Sequence, residues 1–346
     1  MLRLPRTIEW ADGRVRLINQ LKLPHSLEYI ETSDWRRVAE AIRRMEIRGA
    51  PAIGVAAAFA MALAAVHSKA RNLEELLSEL RACASELRGT RPTAYNLFWA
   101  VDQVLATASR APSLDEAREA VVAKALEIQR MDEEANRRIG EHGEKLIADG
   151  DTVMTICNAG SLATSYYGTA TAPMYAALER GKRFRVIALE TRPYLQGARL
   201  TAWELKQAGI DVKIVTDNSI GIVMQRERVD LVIVGADRIT RSGYVANKVG
   251  TYPLALVAKE HGVPFYVAAP TSTFDLSIEG GEEIPIEVRP SEEVTYIFGQ
   301  RIAPEGVEAL YYAFDVTPPK LVTGIITEKG IVYPPYSKSI PALFGR

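Results

Sequence analysis

The sequence predicts an α/β fold in two parts, a small sheet with a helical bundle over residues 1–149 and a mostly parallel, doubly wound domain over 150–346. Three observations predict it. Two alternating apolar/polar runs flank Asp12-Gly13, a strong hairpin signal. From Thr32 to Ile147 apolar residues recur at helical spacing. Beyond Gly150 come short β-rich apolar runs separated by helix-length stretches, as expected of strands buried on both faces and joined by crossovers. A chain of 346 residues is long enough for about two domains.

The elements follow in order. Thr7–Trp10 and Arg14–Ile18 form the hairpin. Thr32-Ser33-Asp34 is an N-cap cluster ahead of Val38, Ala41, Ile42 and Met45 on one helical face. Further helices are expected over Ala52–Ser68, Leu73–Leu87 and Asn96–Ala108. Ser113 opens a long helix with Glu116 three residues on, a capping box, with Gly140 and Gly143 as candidate breaks before Ile147. Strands are expected at Thr152–Ile156, Phe184–Leu189, Val212–Val215, Leu231–Val234, Pro264–Ala269 and Leu321–Ile326. The acidic stretch Phe274–Pro290 has no helical period and reads as an ordered loop or insertion.

Composition narrows the function. With 47% hydrophobic residues the chain has ample apolar surface for a core, which excludes intrinsic disorder. A net charge of -1 leaves no electrostatic footprint for nucleic acid or an anionic membrane. The longest apolar stretch, Ala52–Val66, is too short for a spanning helix and reads as a buried one. Two cysteines, Cys83 and Cys157, build neither a disulfide framework nor a zinc site, and no signal-peptide pattern opens the chain, so the cytoplasm is the expected compartment. His25, His67, His142 and His261 lack ligand spacing, so no metal is expected. No P-loop, dinucleotide fingerprint or nucleophile elbow is present, so no cofactor is expected either.

In an open α/β sheet, ligands bind beyond the carboxyl ends of the strands. That rule selects Cys157–Ser161, Glu190–Arg192, Asp217–Ser219, Gly235–Arg238 and Pro270–Thr273. Each also has an ordinary reading. Cys157 reads as a small buried hydrophobe, Asp237 as a helix cap or a partner of Arg238, Asp217-Asn-Ser as a turn, and Asn247–Gly250 as a turn with an exposed lysine. Gly160 followed by Ser161–Thr169 could offer backbone N–H groups to a phosphate at a helix N-terminus. Spacing alone therefore stops at a cofactor-free enzyme acting on a small substrate, with or without a phosphate.

Longer motifs go further. Ile47–Gly54 (Ile-Arg-Gly-Ala-Pro-Ala-Ile-Gly), Cys157–Thr164, Glu190–Leu205, Gly235–Ile239, Ala246–Thr251, Phe265–Pro270, Phe314–Pro319 and Ile325–Glu328 occur in order along the chain. Together they resemble the 5-methylthioribose-1-phosphate isomerase family, which is related to the regulatory subunits of translation initiation factor 2B. The resemblance implies a smaller N-terminal domain joined to a Rossmann-like domain, usually as a homodimer. It implies the aldose–ketose conversion of 5-methylthioribose 1-phosphate to 5-methylthioribulose 1-phosphate in methionine salvage. By motif, Cys157 and Asp237 are the implied catalytic pair. Arg48, Gly49, Ala50, Arg91, Gln196, Asn247 and Lys248 are the implied substrate contacts, with Arg91 resting on the short motif Gly89–Thr93. Ser161 and Ile156 stand where many members carry other residues, away from the proposed chemistry. Three other readings stay open. Two are isomerases of ribose 1,5-bisphosphate or 5-deoxyribose 1-phosphate; the third is a non-catalytic regulatory subunit.

Overall fold

The computed structural model describes residues 4–91 and 94–345. Pro92 and Thr93, which complete the Arg91 motif, lie outside the described residues. The chain forms two compact units, one built from Leu4–Arg137 with Gly160–Gly168, the other from Arg138–Ala159 and the chain from Thr169 onward.

The N-terminal unit opens with β1 (Ile8–Ala11), β2 (Arg14–Ile18) and β3 (Tyr29–Thr32), an antiparallel sheet in that order. Ile8 stands opposite Leu17, and both are fully buried. Helices α1 (Trp35–Arg43), α2 (Ala50–Val66), α3 (Leu73–Thr90), α4 (Tyr95–Ala108) and α5 (Leu114–Gly143) follow the expected spans closely. Every residue of α2 from Ala52 to Ala65 is buried. Its many alanines let α1, α3 and α4 pack around it, and a helix apolar on all sides belongs in such a centre. Glu116 N–H donates to Ser113 Oγ (3.3 Å), capping α5, and Gly140 does not break that helix. No described helix is long and apolar enough to cross a membrane.

The segment 160–168 is tied firmly into this unit. Thr7 Oγ1 donates to the Ser161 carbonyl (2.7 Å), Gln20 Nε2 to the Leu162 carbonyl (2.7 Å) and Asn136 Nδ2 to the Tyr166 carbonyl (3.1 Å). Asp132 accepts from the Ser165 N–H (2.7 Å) and hydroxyl (2.5 Å). Burial nonetheless pushes the Asp132 carboxyl up to about 6, against these bonds. The expected phosphate cradle at a helix N-terminus is not formed here: Ser161–Ala163 is a single 3₁₀ turn, and the next helix starts only at Ala172. So short a turn sums little dipole.

In the other unit the main strands are β4 (Thr152–Thr155), β5 (Arg185–Leu189), β6 (Asp211–Val215) and β7 (Leu231–Val234). After them come the short β8 (Arg238–Thr240) and β9 (Val245–Lys248), then β10 (Phe265–Ala268) and β11 (Phe274–Asp275). The hairpin β12 (Tyr296–Ile297) and β13 (Gln300–Arg301) precedes β14 (Phe314–Thr317), β15 (Gly324–Thr327) and β16 (Gly330–Val332). Helices α6 (Ala172–Glu179), α7 (Ala202–Gln207), α8 (Ile220–Arg226), α9 (Thr251–Glu260), α10 (Glu292–Thr295) and α11 (Tyr336–Leu343) alternate with them. A seven-stranded sheet runs β16-β15-β10-β7-β4-β5-β6, parallel except at β15–β16. All six apolar runs chosen from sequence fall on its parallel strands. A second sheet, β11-β8-β9-β14, was not foreseen. The stretch from Phe274 to Pro290 is mostly irregular, with β11 and one 3₁₀ turn at Gly281–Glu283.

Candidate active site

Strand order singles out one place on the main sheet. From β4 the chain proceeds outward through β5 and β6, then returns to lay β7 on the other side of β4. The crevice between β4 and β7 is therefore the topological switch point, where the loops leaving two adjacent parallel strands diverge. Cys157 lies two residues beyond β4 and Asp237 three beyond β7. Their loops touch: an ideal Cβ on Gly235 would lie 2.4 Å from Ala159 Cβ.

The thiol-bearing turn is held from β5. Cys157 N–H donates to Thr191 Oγ1 (2.8 Å), and Thr201 Oγ1 donates to the Cys157 carbonyl (2.5 Å). Asn158 Nδ2 donates to the same Thr201 hydroxyl (3.1 Å). Thr191 is fixed in turn by Asp217, whose two carboxylate oxygens accept the Thr191 and Arg192 N–H groups (2.8 and 2.6 Å). Cys157 has φ 61° and Thr191 φ 68°, a left-handed conformation that costs a residue with a Cβ about 1–3 kcal/mol. These bonds hold both residues there. Cys157 is half-buried; Cys83, inside α3, is fully buried, and burial pushes its thiol up to about 12.

Asp237 is half-buried, and its N–H donates to the Ala246 carbonyl (2.9 Å). The chain after it enters β8 directly, so there is no helix for it to cap, and Arg238 forms an ion pair with Asp275 (3.4 Å). Asn247 and Lys248 lie side by side in β9, both buried. This corrects the reading of an exposed turn lysine: Lys248 pairs across the sheet with Phe314, and its Nζ sits 4.7 Å from that ring centroid, a cation–π contact. Asn247 Nδ2 donates to Thr251 Oγ1 (3.0 Å). Asp315, which accepts the Gly250 and Tyr252 N–H groups, is pushed up to about 6, mainly by burial.

Gln196 precedes a π turn, Gly197–Thr201, that supplies Thr201. Gly197 is required by contact, since a Cβ there would stand 1.7 Å from the Leu189 carbonyl oxygen at the end of β5. The Gln196 side chain is buried, and its amide oxygen has no hydrogen-bond partner among the described residues. An orphaned buried acceptor is costly and suits a ligand that donates to it.

Arg48, Gly49, Ala50 and Arg91 belong to the N-terminal unit. Arg48 is buried at the start of α2, and Gly49 is that helix's N-cap. Gly49 has φ 98°, and a Cβ would lie 2.5 Å from Ala163 Cα, so no other residue fits. Arg91 is the half-buried C-cap of α3.

A further group of charged and phenolic side chains is linked by hydrogen bonds and ion pairs. Tyr194 Oη donates to Glu293 Oε1 (3.3 Å), and Arg289 pairs with both Glu287 (2.7 Å) and Glu293. Arg289 N–H donates to the Tyr311 carbonyl (2.9 Å). The Tyr311 ring is buried, and burial followed by the Glu293 charge pushes its hydroxyl well above the usual phenol range. Among the described residues, no group of three or more His, Cys, Asp or Glu side chains is placed to hold a metal ion.

A sequence model of the initiation factor 2 subunit family matches residues 46–334. The chain belongs to that family. Among its members, a methylthioribose-1-phosphate isomerase from Geobacillus kaustophilus is 52% identical, over 99% of this chain and 96% of its own. A 5-deoxyribose 1-phosphate isomerase from Moorella thermoacetica is also 52% identical, over 96% of this chain and 95% of its own. The crystal structure of 5-methylthioribose 1-phosphate isomerase from Pyrococcus horikoshii superposes with a TM-score of 0.90 at 45% identity, covering 99% of this chain and 97% of that one.

Within this family fold, the structure brings Cys157, Asp237, Gln196, Asn247 and Lys248 into one unit, on or beside the strand ends. Sequence reasoning passed over Asp217, set aside as a turn although it lay on the selected rim. It also missed the Tyr194–Arg289–Glu293–Tyr311 group, whose members come from irregular chain and, for Glu293, from the one-turn helix α10, too short to give a periodic signal.

Proposed function

We propose that the protein is an aldose–ketose isomerase converting 5-methylthioribose 1-phosphate into 5-methylthioribulose 1-phosphate, a step of methionine salvage. The observation that carries this reading is a thiol and a carboxyl flanking the topological switch point, in a family with isomerase members of about half-identical sequence. A sugar phosphorylated at C1 cannot open to a free aldehyde, so the ordinary enediol route is blocked at its start. Ring opening needs an acid at the ring oxygen, and hydrogen must then move between C2 and C1. Asp237 is the proposed proton donor to the ring oxygen. Cys157 assists at C2 or stabilises the charge that develops there. Arg48, Arg91 and Lys248 bind the phosphate, the arginines through their planar forks. Gln196 and Asn247 read sugar hydroxyls, and the Gly49–Ala50 backbone contributes at the start of α2. No cofactor is assigned a role.

The test is turnover by the purified protein in chelator, with 5-methylthioribose 1-phosphate, 5-deoxyribose 1-phosphate and ribose 1,5-bisphosphate side by side. Preference for the methylthio sugar is expected. The Moorella relative makes the 5-deoxy sugar the second reading, and preference for it would displace the first. No turnover of any of the three would leave a regulatory-subunit role in place of catalysis. Arg48→Ala is expected to raise KM at least ~10-fold with a smaller change in kcat, since a lost phosphate contact weakens ground and transition states alike. An unchanged KM removes Arg48 from the phosphate site.

A homodimer in the cytoplasm completes this reading. Val288, Phe298, Ile302, Val307, Leu310 and Tyr312 are large apolar side chains exposed along one stretch of chain, and cover by a second copy would remove them from water.

A further inference from the structure

Tyr311 combines features that packing does not explain. It is only 4% exposed, and its Oη has no hydrogen-bond partner among the described residues. Buried phenols ordinarily find a partner, because an unpaired hydroxyl away from water costs free energy. Neighbouring residues are oriented quite differently: Leu310 and Tyr312 are exposed, while Tyr311 turns inward. The backbone fixes this arrangement. The Tyr311 carbonyl accepts from Arg289 N–H, Val288 bridges to Tyr312, and the Ala313 N–H donates to the Glu287 carbonyl.

The same stretch leads to the site. Val249 N–H donates to the Ala313 carbonyl (3.1 Å), and a Cβ on Gly250 would meet Ile156 Cδ1 at 2.9 Å, the residue before Cys157. Tyr311 is thus two residues from a backbone bond to the Lys248–Gly250 corner. Cys157 is among the groups whose charge acts on its hydroxyl, together with Glu293, Arg289 and Tyr194. A phenol in these surroundings stays protonated through the neutral range and is a hydrogen-bond donor waiting for an acceptor.

We propose that Tyr311 is a catalytic residue: its Oη–H donates a hydrogen bond to the substrate's C2 oxygen, which begins as a hydroxyl and ends as the ketone carbonyl. The hydrogen on C2 moves to C1, and the hydroxyl proton replaces the one Asp237 gave to the ring oxygen. The phenol keeps its proton throughout, so no bond to it is made or broken. Asp237 and Cys157 retain their roles, and Tyr311 adds a neutral donor of the kind that forms an oxyanion hole. The assignment rests on the isomerase reading above.

Tyr311→Phe separates this role from a structural one. The ring is kept, and no protein group loses a partner with the hydroxyl, so Tm should stay the same or rise. Turnover of 5-methylthioribose 1-phosphate should nevertheless fall ~10- to 100-fold in kcat, with KM changed less than about twofold. If the wild-type protein turns the substrate over and Tyr311→Phe keeps kcat within about threefold, the Tyr311 assignment alone is overturned. A fall in kcat that comes with a Tm lower by more than about 5 °C overturns it too, because the residue then acts through packing. Absence of wild-type turnover overturns the isomerase reading itself, and this assignment with it.

Discussion

Asp237→Asn is expected to lower kcat at least ~100-fold while leaving the fold intact. Asparagine matches aspartate in size and keeps the backbone bond from residue 237 to the Ala246 carbonyl, so the loop between β7 and β8 should hold its course. Residue 237 is half-buried and precedes a strand, so no helix cap is lost with the carboxyl. What disappears is the ability to release an acidic proton. Without a proton for the ring oxygen, C1 must shed an alkoxide, a far poorer leaving group. A hundredfold loss corresponds to ~2.7 kcal/mol of transition-state stabilisation, well within what one positioned acid contributes. Steady-state kinetics and a melting curve on the same preparation decide the matter. Unchanged Tm with lost kcat supports the proton-donor role; turnover within about threefold of wild type would end it.

How much of this was legible in the sequence depends on what each segment buries. Most of the six parallel strands were readable because strands such as Leu231–Val234 are buried on both faces and carry uninterrupted apolar residues. The edge strand β6 is largely exposed and was legible from its β-branched residues. The strand-end rule then selected Cys157 and Asp237 from position alone. The second sheet was not readable for the opposite reason. In β9, Val245-Ala-Asn-Lys places Asn247 and Lys248 in buried positions, and two adjacent polar residues before a glycine read as a turn. Lys248 meets the Phe314 ring, far away in sequence, while Asn247 bonds to Thr251 at the start of the next helix. Asp217 shows a milder form of the problem. Its rim position was visible, but its work, holding Thr191 and through it the Cys157 turn, is a chain of hydrogen bonds across three strands. Tyr311 was invisible. The groups that act on it come from Arg289, Glu293, Tyr194 and Cys157, and no local pattern encodes such a meeting.

Cys157→Ser should lower kcat by a similar factor, at least ~100-fold, again without unfolding the protein. The turn that carries Cys157 is fixed by its backbone: the N–H to Thr191 and the carbonyl from Thr201 survive the exchange of sulfur for oxygen. Serine is smaller and accepts the same left-handed φ at no greater cost. Its hydroxyl, however, is a far weaker acid than a thiol, so it neither ionises nor exchanges a proton at the rate the C2 step needs. Chemical modification offers a second route to the same conclusion, because the two thiols differ so sharply. Cys83 is fully buried in α3, with its thiol pushed up to about 12, and should resist iodoacetamide in the folded protein. Cys157 is half-buried on the strand-end rim and should react. Mass spectrometry is therefore expected to find one alkylated site, and activity should fall in step with its occupancy. Protection of Cys157 by substrate would place the sugar against the thiol. Full activity in the singly alkylated protein, or near-normal turnover by Cys157→Ser, would remove the thiol from the mechanism and leave Asp237 to act without it.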